Sequence, residues 1–401
     1  MNHAALMQGF PPAADRQVTL ANWRLPPFSR WAFHHVREIL PTANIEGAAA
    51  GRTSLDRAER KIAQVAFQGP DAKEWTFGRL LAETFTDGFL LLQRGRVLTE
   101  WYDAGLRPET PHIVFSVSKS ITGTLAGILV ERRQLDSEAP VTHYIPEAAG
   151  SAYGDCTVRH VLDMTVSIDF EENYLDPHGV FGRYRLATGW NPLPEGTKPT
   201  DLRGFLVTLK RASRAHGSLF HYVSPNSDLM GWILERASGV PYAQLLSEMI
   251  WKPMGAERDA YVTVDRLGAP RSAGGICVTL RDLARFGEMM RLRGHANGRQ
   301  IVPGSWIDDI TQGGDPKPWQ ISEAGKLFAP KGRYRSKWYI MGYPSGAYCA
   351  VGIHGQWIYV DPAADMVIAK QSSQPLPVDV PMDNLLLAGF DALGRWLEKA
   401  G

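Results

Sequence analysis

A serine and a lysine one helical turn apart are the residues of this sequence best suited to chemistry. Ser116 and Lys119 lie in the stretch 115–130, whose apolar residues recur at three- and four-residue steps and predict a helix with one buried face. A spacing of three places both side chains on the same helix face. Ser116 falls at the predicted helix start, where free N–H groups and the helix dipole favour negative charge. This combination indicates a nucleophilic serine for acyl transfer.

Acyl transfer also needs a base and hydrogen-bond donors for the oxyanion. Lys119 can take the serine proton if burial lowers the pKa of its ammonium group. Tyr222 is a second candidate base, because a nearby cationic lysine would stabilise its phenolate and lower its pKa. The N–H group of Ser116 and one from a predicted strand at residues 353–356 are candidate oxyanion donors.

Each of these residues also has an ordinary structural interpretation. Tyr222 is expected to be a half-buried core tyrosine, His354 a strand histidine with satisfied hydrogen bonds, and Gly355 the mark of a β-bulge. A Ser-His-Asp triad is the alternative catalytic arrangement, since such triads need no particular order along the chain. The sequence contains no Gly-x-Ser-x-Gly elbow, however, and no histidine stands in a distinctive context.

The composition restricts the kinds of partner. The chain has 401 residues, and its 43 Lys and Arg against 42 Asp and Glu give a net charge of +1, so no basic excess is present to hold nucleic acid or an anionic membrane. Cys156, Cys277 and Cys349 are far apart, which argues against a zinc site or a disulfide framework. The sequence shows neither a signal peptide nor an apolar run long enough to span a bilayer. We therefore expect a cytoplasmic protein with no metal and no cofactor, acting on a small molecule.

The hydrophobic pattern predicts strand hairpins near both ends of the chain, with helices between them. Because strands that are distant in sequence can pair, the two ends are expected to share one sheet. The predicted elements include a loop at residues 1–27 and hairpins at residues 89–102 and 354–370. Helices are predicted at residues 29–40, 158–164, 227–237, 242–251, 280–286 and from 383 onward, with Thr157 and Thr279 as the N-caps of the helices at 158–164 and 280–286. Gly123 and Gly127, one turn apart in the helix at 115–130, indicate close packing of its backbone. Residues 170–202 and 308–347 show no clear period and are expected to be long loops or edge strands.

Three short motifs follow one another in a familiar order. They are Ser116-Val117-Ser118-Lys119, Tyr222-Val223-Ser224 and His354-Gly355-Gln356. In this order they resemble the motifs of the serine β-lactamase and penicillin-binding-protein superfamily, and the class C-like branch above all. Within that branch the chain is most similar to the 6-aminohexanoate-dimer hydrolases, which degrade nylon oligomers. The similar stretches are residues 30–33, 40–43, 115–120, 167–169, 174–177 and 352–356.

The resemblance implies a fold and a catalytic centre. The fold would be α+β, a β-lactamase-like antiparallel sheet flanked by helices and formed by residues 1–135 and 270–401. An all-α domain, residues 136–269, would be inserted, with the active site in the cleft between the two domains. Ser116 would be the nucleophile, Lys119 its activating partner and Tyr222 the general acid and base.

The resemblance also implies residues that bind the substrate. Tyr174 matches a loop tyrosine that holds the substrate amide in the nylon-oligomer branch. Ile353 matches the strand position whose N–H group completes the oxyanion hole with that of Ser116. His354, in the third motif, is the other candidate for substrate binding.

Two departures from the family pattern decide between substrate classes. The third motif contains His354-Gly355-Gln356 in place of Lys-Thr-Gly, so the cationic strand that anchors a β-lactam carboxylate is missing. Ala273 stands where a polar residue could bind the charged end of an amide substrate. We therefore expect a serine hydrolase for short-chain carboxylic esters, with activity on linear amides of the 6-aminohexanoate type. The alternatives are a β-lactamase or D,D-peptidase, and a non-catalytic binding module that retains the fold. The chain could also form a homodimer.

Overall fold

The computed structural model describes residues 6–52, 54–174, 176 and 178–400, together with the side chains of all of these except Ala400. Leu175 and Pro177, which belong to one of the stretches that carry the family resemblance, lie outside the described residues. The first five residues of the predicted N-terminal loop lie outside them as well. None of the described helices combines the length and the apolar character that crossing a bilayer takes.

Strands dominate near both ends of the described chain, and an unbroken series of helices occupies residues 117–246. The strands are β1 (Thr42–Ile45), β2 (Ala66–Gln68), β3 (Glu74–Thr76), β4 (Thr86–Gln93), β5 (Arg96–Tyr102), β6 (His112–Ile113), β7 (Ala260–Thr263), β8 (Ile276–Val278), β9 (His295–Ala296), β10 (Arg299–Gln300), β11 (Arg333–Arg335), β12 (Trp338–Ile340), β13 (Tyr348–Gly352), β14 (Gln356–Asp361) and β15 (Met366–Ser372). The α-helices are α1 (Ser29–Ala32), α2 (Phe77–Glu83), α3 (Val117–Glu131), α4 (Val141–Tyr144), α5 (Val158–Leu162), α6 (Val180–Ala187), α7 (Leu202–Leu206), α8 (Ser224–Ser238), α9 (Tyr242–Leu246), α10 (Leu280–Arg291), α11 (Gly304–Gln312), α12 (Lys317–Gln320), α13 (Glu323–Phe328) and α14 (Val380–Ala400).

An antiparallel sheet of seven strands organises the molecule. Its strand order is β11-β12-β13-β14-β15-β4-β5, so a hairpin from the first quarter of the chain pairs with strands from the last quarter. In the centre of the sheet, Leu91 of β4 lies opposite Ile368 of β15, and Ile368 lies opposite Tyr359 of β14. The prediction that both ends of the chain share one sheet is confirmed.

Helices cover both faces of this sheet because the buried strands are apolar on both sides. Phe89 and Leu91 of β4 belong to the cluster that contains Leu386 and Phe390 of α14. The alternate residues of the same strand, Leu90 and Leu92, belong to the second large cluster, which contains residues of α3 and α10. A strand buried on both faces reads as a continuous apolar run, which is what residues 89–92 show.

A second sheet pairs the strand that precedes the nucleophile with strands from other parts of the chain. Its strand order is β1-β7-β8-β6, and β6 ends three residues before Ser116. Strand β7 (Ala260–Thr263) pairs with β1 and β8. It falls inside the segment 136–269 that the resemblance assigned to an all-α domain. The helical part of the described chain therefore ends before residue 260, because β7 completes a sheet whose other strands come from outside that segment.

Several predicted elements have different bounds in the structure. Residues 29–40 form two short helical pieces, α1 and a 3-10 turn at Val36–Glu38, and residues 242–251 form α9 followed by a π-helical turn. The segment 308–347, expected to be a long loop or edge strands, contains β11 at the edge of the large sheet and β12 beside it, together with the helices α12 and α13. Its helices are too short to show a helical period in the sequence. The segment 170–202, expected to be a loop of the same kind, contains α6. The predicted N-caps Thr157 and Thr279 are confirmed, since each side chain accepts a backbone N–H bond at the start of its helix.

Candidate active site

Helix α3 places the candidate nucleophile and is fixed by close packing. A Cβ atom on Gly123 would lie 2.2 Å from the carbonyl oxygen of Ser336, and one on Gly127 would lie 2.3 Å from the indole ring of Trp306. The Trp306 indole N–H also donates to the Gly123 carbonyl at 3.1 Å. The two glycines therefore let α3 approach its neighbours closely, as the sequence predicted. These contacts fix the position of α3, and therefore the position of Ser116 at its N-terminal end.

Ser116 occupies the N-cap position of α3, where its side chain bonds to Lys119 and not to the helix backbone. It is 8% exposed, and its Oγ accepts a hydrogen bond from the Lys119 Nζ at 2.9 Å. The preceding residue, Phe115, has a φ of +41°, an unusual conformation for a residue with a bulky side chain. Such strained backbone persists only where its surroundings impose it, and it is concentrated at functional sites. The aromatic rings that pack around Phe115 supply that constraint.

Burial prepares Lys119 to act as a base. The lysine is 2% exposed, and its Nζ also donates to the Ala273 carbonyl at 2.7 Å. Burial lowers the pKa of the ammonium group to about 7, with the positive charge of Arg271 acting in the same direction and the carboxylates of Glu172 and Asp228 opposing it. Near neutral pH a large fraction of Lys119 is therefore uncharged and able to take a proton from Ser116.

Tyr222 joins the pair at the start of α8. Its side chain lies within hydrogen-bonding reach of Ser116 and of Tyr339, and the Lys119 Nζ is 5.0 Å from the centre of its ring. Burial and the negative charge of Glu172 raise the pKa of Tyr222 above that of an ordinary phenol. The prediction that Lys119 would lower this pKa is wrong, because burial disfavours the phenolate and also removes much of the lysine charge that would stabilise it.

Glu172 is a residue of the site that the sequence analysis missed. Its carboxylate accepts a hydrogen bond from the Tyr174 hydroxyl and bonds from the backbone N–H and the hydroxyl of Ser224, the latter at 2.8 Å. Glu172 therefore holds the candidate substrate-binding tyrosine and the first residue of α8 together. It lies in a loop without periodicity, so its sequence context gave no signal.

The third motif forms a turn between β13 and β14. Ile353 lies in this turn and lines the cavity beside Ser116, in the region expected for a second oxyanion donor. Among the described residues, His354 is not one of those that line the cavity. His354 is 3% exposed, packs against Phe33 and Phe115, and bonds through Nδ1 to the Gln374 carbonyl at 2.6 Å. The structure therefore places His354 outside the lining of this cavity, and its role in substrate binding stays a sequence-based prediction.

A cavity of about 230 Å³ opens on Ser116. Tyr174, Tyr222, Ile353 and Gly355 line it near the serine. Its far walls are mainly aromatic and aliphatic, formed among others by Phe220, Trp319, Leu327, Phe328, Tyr339, Val351 and Val378. Of the residues predicted for the site, the structure thus brings Ser116, Tyr222, Tyr174 and Ile353 together around one mainly apolar cavity, and Lys119 is hydrogen-bonded to Ser116. This arrangement suits acyl transfer on a substrate with an apolar part.

The fold and the candidate site indicate a class of hydrolase, and comparison with known proteins shows the family. The family profile described as "Beta-lactamase" matches residues 82–391, so the chain belongs to the beta-lactamase family. It is a hydrolase of this β-lactamase and penicillin-binding-protein fold.

Two of the relatives carry the same enzyme name. The chain is 39% identical over 370 residues to the 6-aminohexanoate-dimer hydrolase of Paenarthrobacter ureafaciens, a match that covers 92% of this chain and 91% of the relative. A solved structure assigned as a 6-aminohexanoate-dimer hydrolase from Bacillus anthracis superposes with a TM-score of 0.88 at 26% identity, covering 97% of this chain and 99% of the other. The esterase EstB of Burkholderia gladioli is 29% identical over 187 residues, 44% of this chain and 45% of the esterase.

Proposed function

We propose that this protein is a serine hydrolase that cleaves short-chain carboxylic esters through an acyl-enzyme on Ser116, with activity on linear amides of the 6-aminohexanoate type. The observation that carries the proposal is the 2.9 Å hydrogen bond between the Lys119 Nζ and the Ser116 Oγ in a buried site. An exposed lysine would be charged and unable to accept the serine proton. Similarity to an amide hydrolase and to an esterase supports the two substrate classes.

The proposed reaction begins with proton transfer from Ser116 to the neutral amine of Lys119. The Ser116 Oγ then attacks the ester carbonyl carbon, and the N–H groups of Ser116 and Ile353 stabilise the oxyanion. The proton passes through the Tyr222 hydroxyl to the leaving oxygen or nitrogen as the bond to the carbonyl carbon breaks. Water hydrolyses the acyl-enzyme by the reverse sequence of proton transfers, which releases the acid and restores Ser116.

The raised pKa of Tyr222 suits this role of proton donor. A phenol that stays protonated can give its proton to the leaving group and be reprotonated by Lys119, whereas a phenolate cannot donate. Esters have better leaving groups than amides and need less help from this acid. We therefore propose the activity order ester, linear amide, β-lactam, with the missing Lys-Thr-Gly motif accounting for the last place.

Labelling tests the nucleophile directly. A serine-reactive phosphonate should modify the protein stoichiometrically, with the adduct on the peptide that contains Ser116. Ser116→Ala should abolish labelling and lower the turnover of p-nitrophenyl butyrate by several powers of ten, because the covalent route is lost. Mass spectrometry and ester kinetics measure the two effects.

Three results would contradict the proposal. An adduct on Ser118, whose side chain points to the backbone of Ile276, would show that the nucleophile is misassigned. No labelling at all would favour the non-catalytic binding module. Faster turnover of nitrocefin than of p-nitrophenyl butyrate would favour the β-lactamase alternative. The cytoplasmic location and the homodimer stay sequence-based predictions.

A further inference from the structure

A second, smaller pocket meets the main cavity at the nucleophile. Ser116, Tyr174 and Ile353 line both spaces. The main cavity is apolar, whereas the smaller pocket contains the side chains of three arginines, Arg24, Arg185 and Arg271. A substrate bound at Ser116 therefore has an apolar wall on one side and guanidinium groups on the other.

Only one of the three arginines is neutralised by a carboxylate among the described residues. Arg271 forms an ion pair with the buried Asp228. Arg24 donates to the Asn191 side chain and, at 3.4 Å, to the Trp190 carbonyl, and Arg185 donates to the Tyr174 carbonyl at 2.9 Å. These acceptors are all neutral. Two guanidinium charges therefore lie beside the nucleophile without an anionic partner from the described part of the chain.

Further donors in this pocket remain unused. The buried Nε atoms of Arg24, Arg185 and Arg271 have no hydrogen-bond partner within the described residues. Of the carboxylates that face the group, Asp228 is paired with Arg271. The other, Glu172, already accepts bonds from Tyr174 and Ser224. Among the described residues, neither carboxylate forms a hydrogen bond or an ion pair with Arg24 or Arg185, and buried charges without partners are costly.

The electrostatics agree with this geometry. Burial lowers the pKa of the Arg24 guanidinium, and the positive charges of Arg185 and Arg271 lower it further. Burial lowers the pKa of Arg185 as well, with Tyr174 and Glu172 opposing and Arg271 adding to the effect. The three cations therefore repel one another, and an anion placed between them would remove that repulsion.

Aromatic rings hold the arginines in place. The Arg24 Cζ lies 5.2 Å from the ring centre of Trp23, the Arg185 Cζ lies 4.5 Å from that of Phe181, and the Arg271 Cζ lies 5.0 Å from that of Trp190. Stacking uses the flat faces of the guanidinium groups and leaves their N–H edges for a ligand. Fixed N–H edges of this kind match the geometry of a carboxylate.

We propose that the pocket of Arg24 and Arg185 binds a carboxylate group of the substrate. The preferred substrates are then esters or amides that carry a carboxylate a few bonds from the scissile carbonyl and an apolar portion that occupies the main cavity. This inference rests on the proposed function, because it assigns the substrate class of the same serine centre.

Matched esters test the inference for both orientations of the substrate. The acyl side is tested with the p-nitrophenyl monoester of glutaric acid against its neutral glutaramate analogue. The leaving-group side is tested with 4-carboxyphenyl butyrate against 4-carbamoylphenyl butyrate. In at least one pair we expect the carboxylate ester to have a kcat/KM at least tenfold above that of its neutral analogue. Arg24→Gln and Arg185→Gln should each reduce this ratio at least fivefold, mainly through KM.

Arg183→Gln is the matched control. Arg183 lies on the same helix as Arg185, is exposed and lines neither pocket, so it undergoes the same loss of charge outside the proposed site. In Arg183→Gln, the ratio of kcat/KM for the carboxylate ester to kcat/KM for its neutral analogue should equal that of the wild-type protein. Circular dichroism should show that all three variants are folded.

Binding to an inactive protein separates this inference from the proposed function. In Ser116→Ala, calorimetry should show tighter binding of the preferred carboxylate ester than of its neutral analogue, and adding Arg24→Gln should remove the difference. Ratios of one or less in both ester pairs, with normal turnover of p-nitrophenyl butyrate, would overturn the inference and leave the proposed function standing. Absence of any ester turnover would overturn the proposed function, and equal binding of both ligands to Ser116→Ala would then overturn the inference as well.

Discussion

At the scale of single residues, burial sets the ionisation states on which the proposed chemical roles depend. Removing Lys119 from water favours its neutral amine, and removing Tyr222 from water favours its neutral phenol. One group becomes a base near neutral pH, and the other remains an acid over the same range. Because the pKa of Tyr222 lies well above that of Lys119, the proton lost near neutral pH is the one on Lys119.

The activity should depend on the neutral form of Lys119. We expect kcat/KM for p-nitrophenyl butyrate to rise with pH, close to tenfold per unit below pH 7, and to level off above the lysine pKa of about 7. The sign follows because protonation removes the base. Lys119→Arg, which stays charged, should lose activity at every pH tested.

Asp383 provides the control for this profile. Its carboxyl group lines the main cavity, and burial raises its pKa to about 7, so it titrates in the same range. Asp383→Asn should retain the rise with pH if the limb belongs to Lys119. If kcat/KM of Asp383→Asn no longer rises with pH, the rise is caused by titration of the Asp383 carboxyl group.

The phenolic oxygen of Tyr222 should be needed for proton transfer. Tyr222→Phe should lower kcat by about two to four powers of ten, the usual contribution of general acid–base catalysis. Tyr343→Phe, the same change at a partly buried tyrosine that does not line the main cavity, should retain wild-type kcat. Near-normal turnover in Tyr222→Phe on a p-nitrophenyl ester would exclude the proposed relay.

The residues of the candidate centre could be predicted from the sequence, but their ionisation states could not. Spacing alone predicted that Ser116 and Lys119 would be neighbours, and the structure places their polar atoms 2.9 Å apart. The pKa of Tyr222 depends on burial and on Glu172, and a linear sequence shows neither. Glu172 and the arginines of the smaller pocket act through contacts between distant segments, which no local pattern records.

At the scale of elements, α3 is the one whose position matters most. Its two interior glycines allow Ser336 and Trp306 to approach the helix backbone, and its first turn carries Ser116 and Lys119. Any change that pushes α3 away from these neighbours moves the serine relative to Tyr222 and Ile353, which lie on other elements. The packing of this helix is therefore linked to the geometry of the site.

Adding a methyl group to either glycine should destabilise the protein. Alanine favours a helix over glycine by about 1 kcal/mol, but overpacking typically costs about 1–3 kcal/mol and more when contacts are very short. With contacts of 2.2 and 2.3 Å, we expect Gly123→Ala and Gly127→Ala each to lower the free energy of unfolding by at least about 1 kcal/mol. Denaturant titration measures this change.

Gly150→Ala is the matched control, because a Cβ atom at that exposed position would meet nothing within 4 Å. Its free energy of unfolding should stay within about 0.5 kcal/mol of wild type. An equal effect of all three substitutions would show that close packing of α3 is not the cause.

Elements with a strong local signal were predictable, and those set by distant contacts were not. Thr157 and Thr279 cap helices as predicted, because a cap depends on residues a few positions away. The segment 308–347 contains short helices and edge strands that exist because β13 and the loop at residue 220 lie beside them. Such elements are too short to display a period.

At the scale of the whole molecule, His354 joins three distant parts of the chain. Its ring packs on Phe33 near the N-terminus and on Phe115 before the nucleophile, and its Nδ1 bonds to the Gln374 carbonyl after the last strand. Burial lowers the pKa of His354 to about 4. The neutral His354 ring therefore connects Gln374, at the end of the large sheet, to Phe115, which precedes Ser116.

Acid should weaken this connection. The pKa of His354 is near 6.5 in the unfolded chain, so between pH 6.5 and 4 the unfolded state binds more protons than the folded state. The stability that the neutral His354 contributes is therefore fully present above pH 6.5 and is lost as the pH falls to 4. A shift of this size corresponds to at most about 3 kcal/mol. His354→Asn, which tolerates the positive φ of 61° at this position, should lose less stability than wild type between pH 6.5 and 4. Parallel urea titrations at several pH values measure the difference, and identical pH slopes would contradict the assignment.

The pairing of β4 with β15 has a consequence for the growing polypeptide on the ribosome. Leu91 and Ile368 are neighbours in the sheet but are separated by 277 positions of synthesis. At about 5–20 residues per second, the β4–β5 hairpin waits roughly 14–55 s for its partner strand. During that time an apolar strand edge is open to other nascent chains. Shielding of this hairpin in the cell, by chaperones or by the intervening helices, should therefore set the yield of native protein, and translation that halts before residue 366 should produce aggregates.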